Sequence, residues 1–261
     1  MKRADLERIN ATLLGDERRM AWSNLGWWQD GKHDYPSAAR ALAMQLATQM
    51  GLQAADSLLD VGCGYGASLA LWAEQGMQHV IGVEPQAACI AAMGDSPPWQ
   101  VWQTSMPYLS EHAQGQRFDA IIAIDAAYQW PVATWLQQAQ TLLTPHGKLG
   151  FHTLVLTDNW LTQTPWQRWW VLRLLRVVGV KQPQTASQLH LTLHRHWQHV
   201  QVSDLSQPVL AGFAAHAQRL PHSPITFDRL KIQLTGRLCA YLHRCGWVHY
   251  VAVSARANDM P

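Results

Sequence analysis

The stretch Ser57–Pro85, SLLDVGCGYGASLALWAEQGMQHVIGVEP, constrains this chain more than any other. Leu58 and Leu59 begin a short apolar run that ends at Asp60, and Gly62, Gly64 and Gly66 follow with Cys63 and Tyr65 between them. Leu69, Leu71, Trp72 and Ala73 then carry a helical pattern that Gly76 stops, and Val80–Val83 reads as a second strand closing on Glu84 and Pro85. A unit of strand, glycine turn, helix and strand holds a nucleotide-like ligand at the carboxyl edge of a parallel sheet. Glycine lets the loop backbone turn tightly and approach the ligand where a Cβ would collide. The acid ending the second strand, Glu84, is placed to accept hydrogen bonds from a ribose diol.

Dinucleotide-dependent oxidoreductases share this plan, and two details separate the chain from them. The spacing is G-x-G-x-G instead of G-x-G-x-x-G, and Asp60 stands directly before the loop. A buried carboxylate there repels a pyrophosphate and suits a ligand carrying an ammonium group. S-adenosylmethionine has a ribose, an amino-acid head and no phosphate. LLDVGCGYG followed by VIGVEP resembles the cofactor signature of class I S-adenosylmethionine-dependent methyltransferases, of the type acting on sterols, tocopherols and similar natural products. The resemblance implies that Asp60, Gly62, Cys63, Gly64, Tyr65, Gly66, Glu84 and Pro85 line the cofactor.

At 261 residues, with 48% hydrophobic and 15% charged residues, the chain is expected to fold as one globular domain. Four cysteines without a C-x-x-C pair read as reduced thiols. With a charged N-terminus and no apolar run of spanning length, a cytoplasmic protein is expected. Residues 1–150 carry 9 Lys+Arg against 14 Asp+Glu, and residues 151–261 carry 11 against 4. A basic C-terminal portion attracts an anionic substrate, a membrane surface or nucleic acid, or is simply a solvated face.

Ahead of the cofactor unit, residues 2–20 read as an amphipathic helix, and Tyr35-Pro36 starts a second one with Ala39, Leu42, Ala43, Leu46, Ala47 and Met50 on one stripe. Between them, Asn24-Leu25-Gly26-Trp27-Trp28 resembles the "NLGYW" segment that caps small-molecule methyltransferases, making Asn24, Trp27, Trp28 and Tyr35 candidates for covering cofactor and substrate. The alternative is that these tryptophans staple the cap to the core.

After the unit, Ala87–Met93 reads as a short helix, Ser96-Pro97-Pro98 as a turn and Trp99–Gln103 as the third strand. Where the family usually has an acid for the adenine amino group, this chain has Thr104-Ser105-Met106, so Ser105 and Met106 inherit that place. Phe118–Asp125 is a continuous apolar strand of a sheet buried on both faces. Its continuation, Asp125-Ala126-Ala127-Tyr128-Gln129-Trp130, resembles the family's "DxAYHF" segment, with Gln129 replacing the histidine. An amide cannot take a proton as an imidazole does, which leaves Tyr128, Asp125 and His152 as titratable candidates for catalysis. His152 follows the turn Leu142–Phe151 on the fifth strand and faces either the cleft or the opposite layer.

Thr164-Pro165 caps a helix running to about Val178. On a helical wheel Trp166, Trp170, Val171, Leu174, Leu175 and Val177 share one arc, and Arg168, Arg173 and Arg176 lie on the other. Such a helix lids a hydrophobic cleft, rests in a membrane interface through residues 164–178, or packs as an ordinary surface helix. The resemblance favours the lid, with Trp130, Trp166 and Trp170 joining Trp27 and Trp28 as substrate cover. His190 and His194 share a face of a helix over 185–197, without the companions a metal site needs, so no metal is expected. A strand from Val200 to Leu205, helices over Phe213–Leu220 and Phe227–Cys245 about a break at Pro221–Pro224, and a last strand Val248–Val253 complete the chain.

The expected fold is α/β: a Rossmann-like, seven-stranded, mostly parallel sheet with helices on both faces and a helical substrate cover. Residues 1–50 form the cap, 51–157 the cofactor core, 158–198 an insertion over the cleft, and 199–255 the C-terminal strands and helices. The function expected from the resemblance is methyl transfer from S-adenosylmethionine to a small acceptor, and the 14 tryptophans favour an apolar or aromatic one. Nucleic acid is not the expected acceptor, because DAAY stands where an N-P-P-Y type motif would. The alternatives are a non-catalytic methyltransferase-fold module and, further off, an NAD-linked oxidoreductase.

Overall fold

The computed structural model describes residues 10–29, 34–94, 99–221 and 226–258. Seven strands form one sheet: β1 (Leu58–Val61), β2 (Val80–Val83), β3 (Gln100–Trp102), β4 (Phe118–Ala123), β5 (Leu143–Leu156), β6 (Trp197–Asp204) and β7 (Val248–Ala257). Their order is β3-β2-β1-β4-β5-β7-β6, and β7 runs antiparallel to both its neighbours. The chain steps outward from β1 to β3, then returns to the other side of β1 for β4 and β5. That reversal opens a crevice between the carboxyl ends of β1 and β4, where ligands bind in open α/β sheets.

The strand residues alternate between two apolar layers. Leu58, Ala120, Ile122, Leu154 and Tyr250 face a layer with α2 (Tyr35–Met50), α3 (Ala67–Glu74), α9 (Gly212–Arg219) and α10 (Phe227–Cys245). Leu59, Val61, Ile121, Phe151 and Val253 face the other, with α5 (Leu109–Ala113), α6 (Val132–Leu142) and α8 (Ala186–His194). The remaining helices are α1 (Ala11–Leu14), α4 (Ala87–Met93) and α7 (Pro165–Val177). In α2 the expected stripe is buried, Asp34 caps it by accepting from Ser37 N (2.8 Å), and Gly51 closes it in the left-handed region.

Several expected elements differ. The expectation of a helix over residues 2–20 falls partly on residues 1–9, outside those described; the described part is the single turn α1, ended by Gly15 at φ 100°. Beyond it, the buried Asp16 carboxylate accepts from Trp22 N (2.9 Å) and from Arg18, which turns the chain away from a helix. Ser96–Pro98 lies outside the described residues, as do positions 222–225 of the C-terminal break. The fourth strand stops at Ala123, because Asp125 takes φ 52°. The helix expected over 185–197 ends at His194, and Trp197 begins β6 instead.

Candidate active site

The glycine loop lies at the crevice. Gly62 has φ 83°, and a Cβ there would come within 2.8 Å of Ala126 Cβ, so only glycine lets the loop after β1 close on the turn after β4. Glu84, 1% exposed, ends β2; its Oε2 accepts from Gly64 N (3.2 Å) and its Oε1 from Gln86 N (3.0 Å). The acid therefore orders the loop while standing at the strand end where a diol would be read.

Asp60 turns out to serve α3. Its Oδ2 accepts from Trp72 Nε1 (2.8 Å), Ser68 also donates to it, and the residue is 1% exposed. Burial pushes its carboxyl up to about 6 against the lowering pull of those two donors. Asp60 thereby fixes the helix that follows the loop. A carboxyl raised on folding adds stability below its unfolded value near 3.8, and that contribution is lost as pH rises to about 6. Asp60→Asn keeps an acceptor for Trp72 and should flatten this part of the stability–pH curve, by up to about 3 kcal/mol. Urea denaturation from pH 4 to 8 measures it.

Asp125 is the junction of the site. Its Oδ2 accepts from Leu25 N (2.9 Å), its Oδ1 accepts from Tyr250 Oη (2.9 Å), and its own N–H donates to His152 Nδ1 (3.2 Å). One residue thus joins the N-terminal segment, β7 and β5. The residue as a whole is half-buried, but its carboxyl is desolvated, and burial pushes it to about 7 although Leu25 and Tyr250 both lower it. Tyr128 lies near enough for the Asp125 charge to add to burial in raising its phenol, and the same two causes push the Cys239 thiol up to about 12. His152 is fully buried, its ring 5.4 Å from that of Tyr250, and burial lowers it to about 3. Because His152 Nδ1 accepts, its neutral ring carries the proton on Nε2. That leaves a donor, and removes His152 as a proton acceptor near neutral pH.

The N-terminal segment closes over this junction. Trp27 N donates to Ala38 O (2.8 Å), Trp28 N to Pro208 O (2.9 Å), and Tyr35 Oη to Asn24 O (2.9 Å). Trp28 stacks on His216 (4.2 Å between ring centroids) and seals against Gly212, where a Cβ would fall 2.3 Å from Trp28 Cβ. Trp28 and Tyr35 therefore staple the segment to α2 and α9. Gly212→Ala should push the segment off α9 and cost about 1–3 kcal/mol, read as a lower thermal midpoint.

Other expected residues go elsewhere. Met106 is fully buried in the layer with Leu109 and Phe118, and Ser105 O accepts from Tyr108 N (3.0 Å), so Met106 is core and the Ser105 carbonyl closes a turn. Trp130 stacks on Trp135 (6.3 Å) in that same layer, away from the segment with Trp27 and Trp28. The helix α7 buries Val171 and Leu175, while Trp166 and Trp170 are 69% and 40% exposed. Sequence reasoning missed Tyr250 and Cys239, which reach the site from distant positions and carry no motif, and it did not single out Leu25 within the capping segment.

His152 Nε2 and Trp27 Nε1 are two of five buried ring N–H groups, with those of Trp99, Trp135 and Trp197, that have no hydrogen-bond partner among the described residues. An unpaired buried donor is costly, and an acceptor atom on a bound molecule would satisfy it. With the Glu84 carboxylate, the tight glycine loop and a desolvated acid, His152 and Trp27 fit a ribose-bearing cofactor together with a polar atom of a second molecule.

A family profile described as a methyltransferase domain matches residues 32–202. The erythromycin 3''-O-methyltransferase of Saccharopolyspora erythraea is 26% identical over 162 residues, 58% of this chain and 53% of that enzyme, so the match spans about half of the relative's length. Among solved structures, the cyclopropane synthase MmaA2 of Mycobacterium tuberculosis superposes with a TM-score of 0.73 at 17% identity, covering 98% of both chains. The geranyl diphosphate C-methyltransferase of Streptomyces coelicolor A3(2) gives 0.67 at 15% identity, covering 95% of this chain and 96% of that one. At those identities the likeness is one of fold, and the sheet is the Rossmann-like sheet expected from the sequence. The chain belongs to the methyltransferase domain family.

Proposed function

We propose that this protein transfers a methyl group from S-adenosylmethionine to a small, predominantly apolar acceptor. The observation that carries this reading is the pairing of the Gly62–Gly66 loop with Glu84, whose carboxylate already accepts from Gly64 N at the mouth of the crevice. The cofactor supplies a methyl group activated by a positively charged sulfur. Glu84 holds the ribose hydroxyls, and Gly62, Cys63, Gly64, Tyr65 and Gly66 let the backbone lie against the cofactor. The segment around Leu25 and Trp27 excludes water, which aligns the reactants and removes competing nucleophiles. Asp125 receives the acceptor's proton, and His152 Nε2 donates a hydrogen bond to the bound pair.

The names of the similar proteins support a small acceptor: one methylates erythromycin, and another was crystallised with geranyl diphosphate and S-adenosylhomocysteine. The nearly apolar layer around the Asp125 junction supports an acceptor with little charge of its own. Calorimetric titration with S-adenosylmethionine, S-adenosylhomocysteine and NAD tests the cofactor. Binding of the first two and not the third is the expected result. Product analysis with terpenoid, quinone-like and macrolide acceptors then tests the transfer. Binding of NAD alone would refute the cofactor assignment, and cofactor binding without transfer to any apolar acceptor would refute the substrate class.

A further inference from the structure

Only part of the apolar arc expected of α7 is buried. Val171 and Leu175, one turn apart, fix the helix to the domain. Trp166 (69% exposed), Trp169 (47%), Trp170 (40%) and Val177 (77%) are left on the outside, and Arg173 and Arg176 are exposed with them. At 3.6 residues per turn, these six side chains fall within about a third of the helix circumference. Leu161, 64% exposed on the helical turn just before α7, extends the patch. A surface that meets only water gains nothing from this much exposed tryptophan, and patches of this kind mark an interaction.

Charge identifies the occupant. From Asn159 to Ser203 there is no Asp or Glu, whereas Arg168, Arg173, Arg176, Lys181 and Arg195 all lie in that stretch. The partner is therefore anionic and also accepts tryptophan and valine. The ring faces are already in use: Trp166 and Trp169 stack on each other (5.0 Å), and Arg173 lies over Trp169 (5.5 Å from the centroid). Rings paired in this way offer few free faces to nucleic-acid bases, but their edges can still sit at the headgroup boundary, where tryptophan partitions. A basic helix with exposed tryptophan lies in the plane of such an interface. No helix among the described residues is long and apolar enough to cross a membrane, so the contact is peripheral.

We propose that α7 docks the protein on an anionic lipid surface through Trp166, Trp169, Trp170 and Val177, with Arg173 and Arg176 on the headgroups. The geometry also gives the contact a use. Just beyond α7, Gly179 abuts the loop carrying Tyr128, a Cβ at Gly179 lying 3.7 Å from Gln129 Cγ. A docked α7 thus holds that loop next to a phase in which apolar molecules dissolve. The docking stands on its own observations, independent of the methyl-transfer reading.

Sedimentation of the full chain with phosphatidylcholine vesicles, with and without phosphatidylglycerol, tests it. Binding should require the anionic lipid, shift tryptophan emission to the blue, and weaken in high salt. Arg173→Gln with Arg176→Gln should weaken partition roughly 30-fold. Trp166→Gln with Trp169→Gln should weaken partition and shrink the blue shift to what Trp170 alone gives, while circular dichroism and thermal midpoint stay unchanged. No binding to anionic vesicles would overturn the proposal, and so would binding that both double variants retain. A mass that doubles with concentration and falls in the tryptophan variant, or tighter binding to a single-stranded oligonucleotide than to vesicles, would assign the patch to another partner and also overturn it.

Discussion

Glu84→Ala should weaken S-adenosylmethionine binding by about 100-fold. The carboxylate is 1% exposed at the end of β2, and a ribose diol presents two hydroxyls to it. Hydrogen bonds to a charged group contribute about 1.5–3 kcal/mol each, so losing two of them would exceed two decades in affinity; some of that returns through water entering the space. Glu84 also accepts from Gly64 N and Gln86 N, so truncation frees two loop N–H groups as well. Glu84→Gln separates these effects. The amide keeps one acceptor oxygen and loses the charge, and it should fall between wild type and Glu84→Ala in affinity. Titration calorimetry gives the three constants. Equal affinity in all three proteins would remove Glu84 from the cofactor site.

How legible the site was in the sequence depended on how far apart its parts lie. The loop, its helix and the acid after it all fall between Ser57 and Pro85, where local glycine and strand signals fix their relation, and the structure has them as read. The bond from Trp72 to Asp60 was not legible, because a carboxylate before a glycine loop has the same spacing whether or not a helix side chain reaches it. The Asp125 junction was half visible. Its motif marked Asp125 and Tyr128, but the partners Leu25 and Tyr250 stand 100 and 125 residues away and belong to stretches that read only as cap and strand. The wheel of α7 was right for Val171 and Leu175 and wrong for Trp166, Trp170 and Val177, for a different reason. It contains more apolar residues than one face can bury, so hydrophobicity could not say which face turns inward, and the smaller Val171 and Leu175 took the packing positions.

Asp125→Asn should lower the rate of transfer to a protic acceptor by about 100- to 10,000-fold, the usual range for losing a general base. The fold should survive the change. The oxygen of the introduced amide can accept from Leu25 N, and its nitrogen can donate to the Tyr250 hydroxyl, which rotates to accept. Of the three titratable candidates, burial takes His152 to about 3 and raises Tyr128 well above its ordinary value, whereas Asp125 sits at about 7. Only Asp125 changes charge in the range where the enzyme would work, so the wild-type rate should rise with pH through about 7 and level off above it. In the amide variant that rise should vanish together with the rate. Stability should move the opposite way. A carboxyl raised on folding stabilises the native state below its unfolded value near 3.8, and the contribution drains away as pH climbs to about 7. The wild type should therefore lose up to about 4 kcal/mol across that interval relative to Asp125→Asn. A variant that keeps the pH-dependent rise in rate while losing the pH-dependent fall in stability would make Asp125 a structural acid and move the base elsewhere.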